Sequence, residues 1–420
     1  MITAFLIFAL VLGFYVAWNI GANDVANAVG TSVGSGALSL RRAVIIAAIF
    51  EFSGALLLGS NVSETVEAGI VNPIIFSNHN SDYIFGMIAS LLATGVWLQI
   101  ASFNGWPVST THSIVGAVLG FGVVLGGFQS IFWAKIGSIA ASWVISPFLG
   151  GAVAFIIFTI IRRHILYHKD PLEAAKRLTP WLVFSIFFLI CIIIFYNGLN
   201  GVKLQMNLWL VLLIALASGL ITAGITIFLL RRIKNPHLLE YDMVEKIFMR
   251  LQIIIACFMA FAHGSNDVAN VIGPLSGIVN ALQGKSVLLH HTIPISLLFL
   301  GGIGIVVGLA TWGWRVIETV GKKITDLTPS RGFSAGFAAT LTIMLASKLG
   351  LPISTTHVLV GAVLGVGFAR GIGAINLDTI RDIVVSWIIT VPVGAGLSIF
   401  FFYLLKWSFT SFYPLFTTAF

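Results

Sequence analysis

The chain has 420 residues, of which 58% are hydrophobic and 9% charged, and its mean hydropathy is +1.02. Soluble domains carry roughly a quarter charged residues, so a soluble domain is excluded and an all-α polytopic membrane protein is indicated. The formal charge of +8 does not signal nucleic acid, because the basic residues sit in short loops beside apolar segments, where they act as orientation signals.

Taken in chain order, Met1 to Ala28 is apolar and ends in Ala-Asn-Ala, like a signal-peptidase site. No Lys or Arg precedes it, and its phrase Gly-Ala-Asn-Asp-Val-Ala-Asn from Gly21 returns in the interior as Gly-Ser-Asn-Asp-Val-Ala-Asn from Gly264, so the segment is read as transmembrane. Arg41 and Arg42 read as internal, and Ala43 to Gly59 as a span. The loop 60–82 holds Glu64, Glu67 and Asp82 without Lys or Arg and reads as external. Three apolar pieces follow at 83–102, 106–127 and 131–161. Basic loops at 162–180 and 231–250 read as cytoplasmic and enclose two linking helices near 181–196 and 208–230. Both termini are then expected outside. Cys191 and Cys257 lie in or beside apolar helices, with nothing nearby to make a disulfide or a metal clip.

The Asn-Asp-Val-Ala-Asn phrase recurs at an offset of 243 (Asn23 to Asn266), Ser-Thr-Thr-His at 245 (Ser109 to Ser354) and Ser-Trp at 244 (Ser142 to Ser386), which marks an internal duplication. Repeat A is taken as 1–165, the linking region as 166–244 and repeat B as 245–420. The uncharged joint Ser-Phe-Asn-Gly-Trp-Pro-Val-Ser-Thr-Thr suits an irregular turn buried in protein at membrane depth, so 83–102 and 106–127 are expected to form a hairpin that dips in and returns. The parity of crossings then makes repeat B an inverted copy. Inverted-topology repeats with re-entrant helical hairpins and discontinuous transmembrane helices around a central site are the expected fold, that of secondary transporters.

Pro107 stops the first hairpin arm, and Ser109, Thr110 and Thr111 fall where a new helix begins; Pro352 with Ser354, Thr355 and Thr356 repeats this. A helix beginning offers unpaired N–H groups and about half a positive charge, which favours an anion. Two such beginnings with six hydroxyls would cage a tetrahedral oxyanion such as phosphate; the plainer alternative is that the hydroxyls only cap helices. Asp24 and Asp267 lie well inside the membrane, where an unpaired carboxylate costs about 2.5–3.5 kcal/mol. Asn23 and Asn27, and Asn266 and Asn270, are four apart and share a helical face. The glycines at 21, 30, 34 and 36 and at 264, 273 and 277 suggest unwinding that would free backbone carbonyls. Carboxylate, amide oxygen and carbonyl form a hard-oxygen set suited to Na+. Asp24, Asn23, Asp267, Asn266 and the membrane-buried Glu51 are assigned to sodium, and Asn27 and Asn270 join the hydroxyls on phosphate. Glu51 has no basic neighbour in sequence and no acidic counterpart between 292 and 312. His112 and His357 either contact the anion, take protons or pack behind the tips; His263 stands where repeat A has Ile20, so any role is one-sided.

At these motifs, over essentially the whole chain, the sequence resembles the inorganic phosphate transporters of the PiT type, which include the animal sodium–phosphate symporters that double as retroviral receptors. The resemblance implies cotransport of phosphate with Na+ or H+, an inverted-repeat fold, external termini, plasma-membrane residence and a homodimer. It also implies roles for Asp24, Asn27, Asp267, Asn270, Glu51 and the six hydroxyls. The chain lacks the large cytoplasmic domain of the animal members, and 83–102 and 333–348 have no Asp or Glu, which favours Na+ over H+. Phosphate near neutral pH carries about one to two negative charges, and the aspartates add two more, so two or more Na+ are expected with it. Proton or metal–phosphate coupling, and sulfate or arsenate as the oxyanion, are the alternatives. A passive channel is disfavoured by the buried aspartates. A hydrolase would have only Ser109–His112 or Ser354–His357 and no motif acid, so no enzyme and no cofactor is expected.

Overall fold

The structure, a computed structural model, describes residues 2–72, 75, 80–196, 206–233, 240–284, 293–314, 316–317, 326–371 and 376–412. Lys234 of the second basic loop, part of the loop before residue 80, and residues 413–420 at the C-terminus, where an external position is expected, lie outside them. The fold is all-α: α1 (Ile2–Gly34), α2 (Leu40–Leu58), α3 (Ser60–Ala68), α4 (Asn80–Phe103), α5 (Thr110–Gly126), α6 (Trp133–Ile161), α7 (Pro171–Phe195), α8 (Leu208–Arg231), α9 (Glu240–Asp267), α10 (Ala269–Leu282), α11 (Ile295–Thr311), α12 (Pro329–Lys348), α13 (Thr355–Arg370) and α14 (Leu377–Phe412). Among the described residues seven helices are long and apolar enough to span a membrane, and eight if α2 and α3, bent by 64° at Gly59, count as one span.

This is a multi-pass membrane protein turned inside out with respect to polarity. The outer helices are lipid-facing and leave Leu213, Ile221, Phe148 and Ile388 more than 60% exposed, whereas the polar residues Asn23, Asp24, Glu51, His263 and Asp267 are each at most 1% exposed. Lipid tails are as apolar as leucine, so helix association relies on close approach of backbones at small residues. A Cβ at Gly21 would strike the Ile305 carbonyl and one at Gly264 the Glu51 carbonyl; Gly54 meets the Phe261 carbonyl and Gly308 that of Trp18. Thus α1 packs on α11 as α9 packs on α2. The duplication in the sequence is therefore repeated in the contacts.

The halves interlock. Helix α5 of the first repeat packs on α14 of the second, and α13 of the second packs on α6 of the first. Each hairpin, α4–α5 and α12–α13, turns at a glycine with positive φ, Gly105 (69°) and Gly350 (65°), a conformation a side chain resists. Unwinding at the glycines of the first signature phrase is not observed: α1 runs unbroken to Gly34, and the second phrase is interrupted only at Val268, whose backbone is itself helical (φ −59°, ψ −28°). Gly21, Gly264, Gly273 and Gly277 serve close contact instead, while Gly36, past the end of α1, turns with φ +75°.

Candidate functional site

The two hairpin tips meet at the centre of the fold. Ser109 and Ser354 have extended backbones (φ −89°, ψ 113° and φ −85°, ψ 108°), and their side chains accept the N–H of His112 and His357, each at 3.2 Å, so both are N-caps. The N–H groups of Thr110 and Thr111, and of Thr355 and Thr356, come before the first intrahelical acceptors and point out of the helix starts. The third hydroxyl of each tip braces the other hairpin: Thr111 donates to the Ile353 carbonyl at 3.0 Å and Thr356 to that of Val108 at 3.3 Å. Asn270 Nδ2 donates to Thr111 Oγ1 at 3.3 Å, while Asn27 Nδ2 reaches Thr356 Oγ1 at 2.8 Å and Thr355 Oγ1 at 3.3 Å.

Beneath the tips stand the two aspartates. Thr110 donates to Asp24, Asn27 Nδ2 donates to Asp24 Oδ1 at 3.0 Å, and Thr355 donates to Asp267 Oδ2 at 2.9 Å. Asp24, Asp267 and His263 each offer one ligand atom within 4.8 Å of the others. Two ionised carboxylates at that separation would repel by roughly 3–4 kcal/mol at an effective dielectric constant near 20, which a bound cation or a proton relieves. His263 stands against a carboxylate at each ring nitrogen: Nε2 lies 2.9 Å from Asp267 Oδ2 and Nδ1 lies 3.3 Å from Glu51 Oε1. Glu51 thus reaches Asp267 only through the imidazole and is not a member of the three-residue cluster.

The asparagines are fixed in one sense. Asn23 Nδ2 donates to Ser102 Oγ (3.1 Å) and the Trp106 carbonyl (3.0 Å); Asn266 Nδ2 donates to Ser347 Oγ (3.1 Å) and the Leu351 carbonyl (3.3 Å). Each amide group is anchored to its own hairpin joint. Consequently Asn23 Oδ1 and Asn266 Oδ1 are buried acceptors without a donor, as are Asp267 Oδ1 and Asn270 Oδ1. Buried acceptors left unpaired cost about 1–3 kcal/mol each, and an all-oxygen set of this kind suits a hard monovalent cation.

The tips differ in what covers them. The joint after α4 borders a cavity of about 780 Å³ lined by Trp97, Asn104, Trp106 and Pro107 and by Asp382 and Ser386 of α14. The joint after α12 is roofed by α3, where Thr65 Oγ1 donates to the Gly350 carbonyl at 2.8 Å. Glu67, expected as a loop charge, is on α3 and accepts from Asn280 at 2.8 Å.

Of the residues expected at the site, Asp24, Asn27, Asp267, Asn270, Thr110, Thr111, Thr355 and Thr356 are linked by the hydrogen bonds between the tips; Ser109 and Ser354 cap the helices, Asn23 and Asn266 bind their own hairpin joints, and Glu51 stands behind His263. The orienting serines, Ser102 and Ser347, open the two hairpin joints and sit 245 apart like the caps they precede, but the joints alone assign them no role. The Glu51–His263 contact is likewise absent from the sequence reading, though each is a departure from the repeat, and two unmatched polar residues on one side of a duplicated fold are natural partners.

A multi-pass helical protein with two capped helix beginnings facing each other over buried acidic residues has the construction of a membrane permease. The chain belongs to the phosphate transporter family, whose sequence profile matches residues 20–398. It is 55% identical over 424 residues to a chain of Chlamydia pneumoniae whose name describes a phosphate permease, covering 96% of this chain and 98% of that one. It is 44% identical over 432 residues to the chloroplastic inorganic phosphate transporter 2-1 of Arabidopsis thaliana, covering 96% and 71%. A solved structure described as the sodium-dependent phosphate transporter superposes with a TM-score of 0.89 at 41% identity, covering 96% of this chain and 99% of that one.

Proposed function

We propose that the protein takes up inorganic phosphate together with two or more Na+ by alternating access, across the plasma membrane, with inverted repeats, re-entrant hairpins, external termini and a homodimeric assembly as the resemblance implies. Phosphate sits between the beginnings of α5 and α13, held by the N–H groups and hydroxyls of Ser109, Thr110, Thr111, Ser354, Thr355 and Thr356 with Asn27 and Asn270. Sodium is held by Asp24 and Asp267 with the side-chain oxygens of Asn23 and Asn266. The observation that carries the reading is the pair of buried, donor-less amide oxygens, Asn23 Oδ1 and Asn266 Oδ1, each in the residue next to an aspartate in sequence and each with its own NH2 group anchored to a hairpin joint. Glu51 is read as the counter-charge of His263 instead of a direct sodium ligand, because its carboxylate meets the imidazole.

Each ion contributes what the other lacks. The anion between the helix beginnings draws cations to the aspartates, and the cations relieve the repulsion between carboxylates and oxyanion, so the two bind cooperatively and reciprocally. Rocking of one bundle against the other then exposes the filled site to the second face. The test is radiolabelled phosphate uptake into proteoliposomes with Na+ and pH gradients set independently. Uptake that requires an inward Na+ gradient is expected; full uptake in choline, driven by a pH gradient alone, would transfer the coupling to protons.

A further inference from the structure

Behind the two tips lies a column of four rings that the phosphate and sodium sites do not use. Trp143 of α6 packs on His112 with ring centroids 3.9 Å apart; His112 meets His357 edge to face at 4.3 Å and 85°; His357 stacks on Trp387 of α14 at 3.6 Å and 26°. Two rings come from each repeat, and the order is mirrored, with His112 and His357 offset by 245 and Trp143 and Trp387 by 244. The histidines are 5% and 4% exposed.

Each histidine is tied by its backbone to the start of a site helix, since its N–H closes the Ser109 or Ser354 cap. Successive residues of a helix are about 100° apart, so His112 lies roughly 200° round from Thr110 and faces away from the anion, and His357 does so with respect to Thr355. The rings therefore reach the site only through the backbone. They also span the two halves. His357 Nδ1 approaches the Trp143 carbonyl at 3.3 Å, and Trp143 Nε1 donates to the Pro352 carbonyl, two residues before the Ser354 cap, also at 3.3 Å. Rings packed face and edge have a fixed thickness and few rotamers, unlike the hydroxyls that line the site.

We propose that the Trp143–His112–His357–Trp387 column is a spacer that sets the separation of the beginnings of α5 and α13, and thereby the affinity and size selectivity of the oxyanion site. His112 and His357 are positioning residues. This rests on the reading that phosphate binds between those helix beginnings.

The experiment is equilibrium phosphate and arsenate binding, with saturating Na+, to purified H112A, H357A, the double variant, H112Q and H112F, alongside T110V and T355V. A slackened spacer costs the site its preorganisation, so each alanine variant should raise the Kd for phosphate between about ten- and a hundredfold. The phosphate-to-arsenate preference narrows with it, because the slackened site admits the larger anion. The two histidines act through one contact, so the double variant is no weaker than the weaker single to within about twofold. H112F, which keeps a ring, recovers most of the affinity that H112A loses, whereas H112Q, polar but ringless, does not; this pair carries the test if the alanine variants fail to fold. Additive losses, a phenylalanine no better than glutamine, or unchanged Kd in folded variants would overturn the spacer. If T110V and T355V lose phosphate while H112A and H357A bind it normally, the spacer alone falls; if T110V and T355V bind as wild type, the site between the helix beginnings falls with it.

Discussion

Glu51 and Ile305 stand at equivalent points of the two repeats: the Glu51 carbonyl lies over Gly264 as the Ile305 carbonyl lies over Gly21. Their side chains differ in kind, and so do the residues just before the two signature phrases, His263 and Ile20, which are 243 apart. The fold thus sets a carboxylate and an imidazole 3.3 Å apart on one side of its centre, with His263 Nε2 2.9 Å from Asp267 Oδ2, where the other repeat has two isoleucines.

Removing one member of a buried pair strands the other, at about 3–5 kcal/mol, whereas an apolar pair of similar volume is often nearly neutral. Glu51→Ile or His263→Ile alone should therefore lower the thermal stability of the purified protein more than the double variant, which copies the other repeat. A double variant less stable than both singles would count against the pairing.

Asn23→Ala and Asn266→Ala each delete one of the mirror-related amide oxygens. Each should raise the Na+ concentration for half-maximal uptake roughly tenfold, the equivalent of about 1.4 kcal/mol, with little change in phosphate affinity once Na+ is saturating. Titrating uptake against Na+ at fixed phosphate reads this directly, and an unchanged Na+ requirement would contradict the assignment.

Gly21→Ala and Gly264→Ala place a methyl group against main-chain carbonyls that cannot rotate away. Both should cost about 1–3 kcal/mol or more and reduce the yield of monodisperse protein. Since both glycines meet a main-chain carbonyl at nearly the same distance, similar losses are expected; full stability in either variant would show that the helices can separate there.

Thr65→Val removes the donor that holds the Gly350 carbonyl under α3. A hydrogen bond of this kind is worth about 0.5–1.5 kcal/mol, so amide exchange across 348–354 should speed up by up to roughly tenfold. Exchange across 104–108, whose joint borders the cavity, should not change.

Much of this architecture is legible in the amino-acid sequence. Proline followed by Ser-Thr-Thr marks a helix start by local chemistry alone, and a signature phrase repeated at a nearly constant offset identifies the second copy of the site. The length and apolarity of the runs fix the spans. Relations between distant segments are not legible in this way. Nothing local tells that Thr111 reaches the Ile353 carbonyl of the other hairpin, or that Gly59 bends α2 from α3. Glycines in the signature phrases suggest loosened backbone because glycine weakens an isolated helix; in a membrane, where the backbone must be satisfied internally, the same residue lets helices touch.

The exchange of partners between the halves bears on how the protein is made. Helix α5 finds its packing surface in α14, more than 250 residues later in the chain. During synthesis the first hairpin must wait beside the insertion machinery with its polar tip uncovered until the last helix arrives. A truncated first half would emerge with a hydroxyl-rich face open to lipid, and cellular quality control would be expected to remove it before it could assemble.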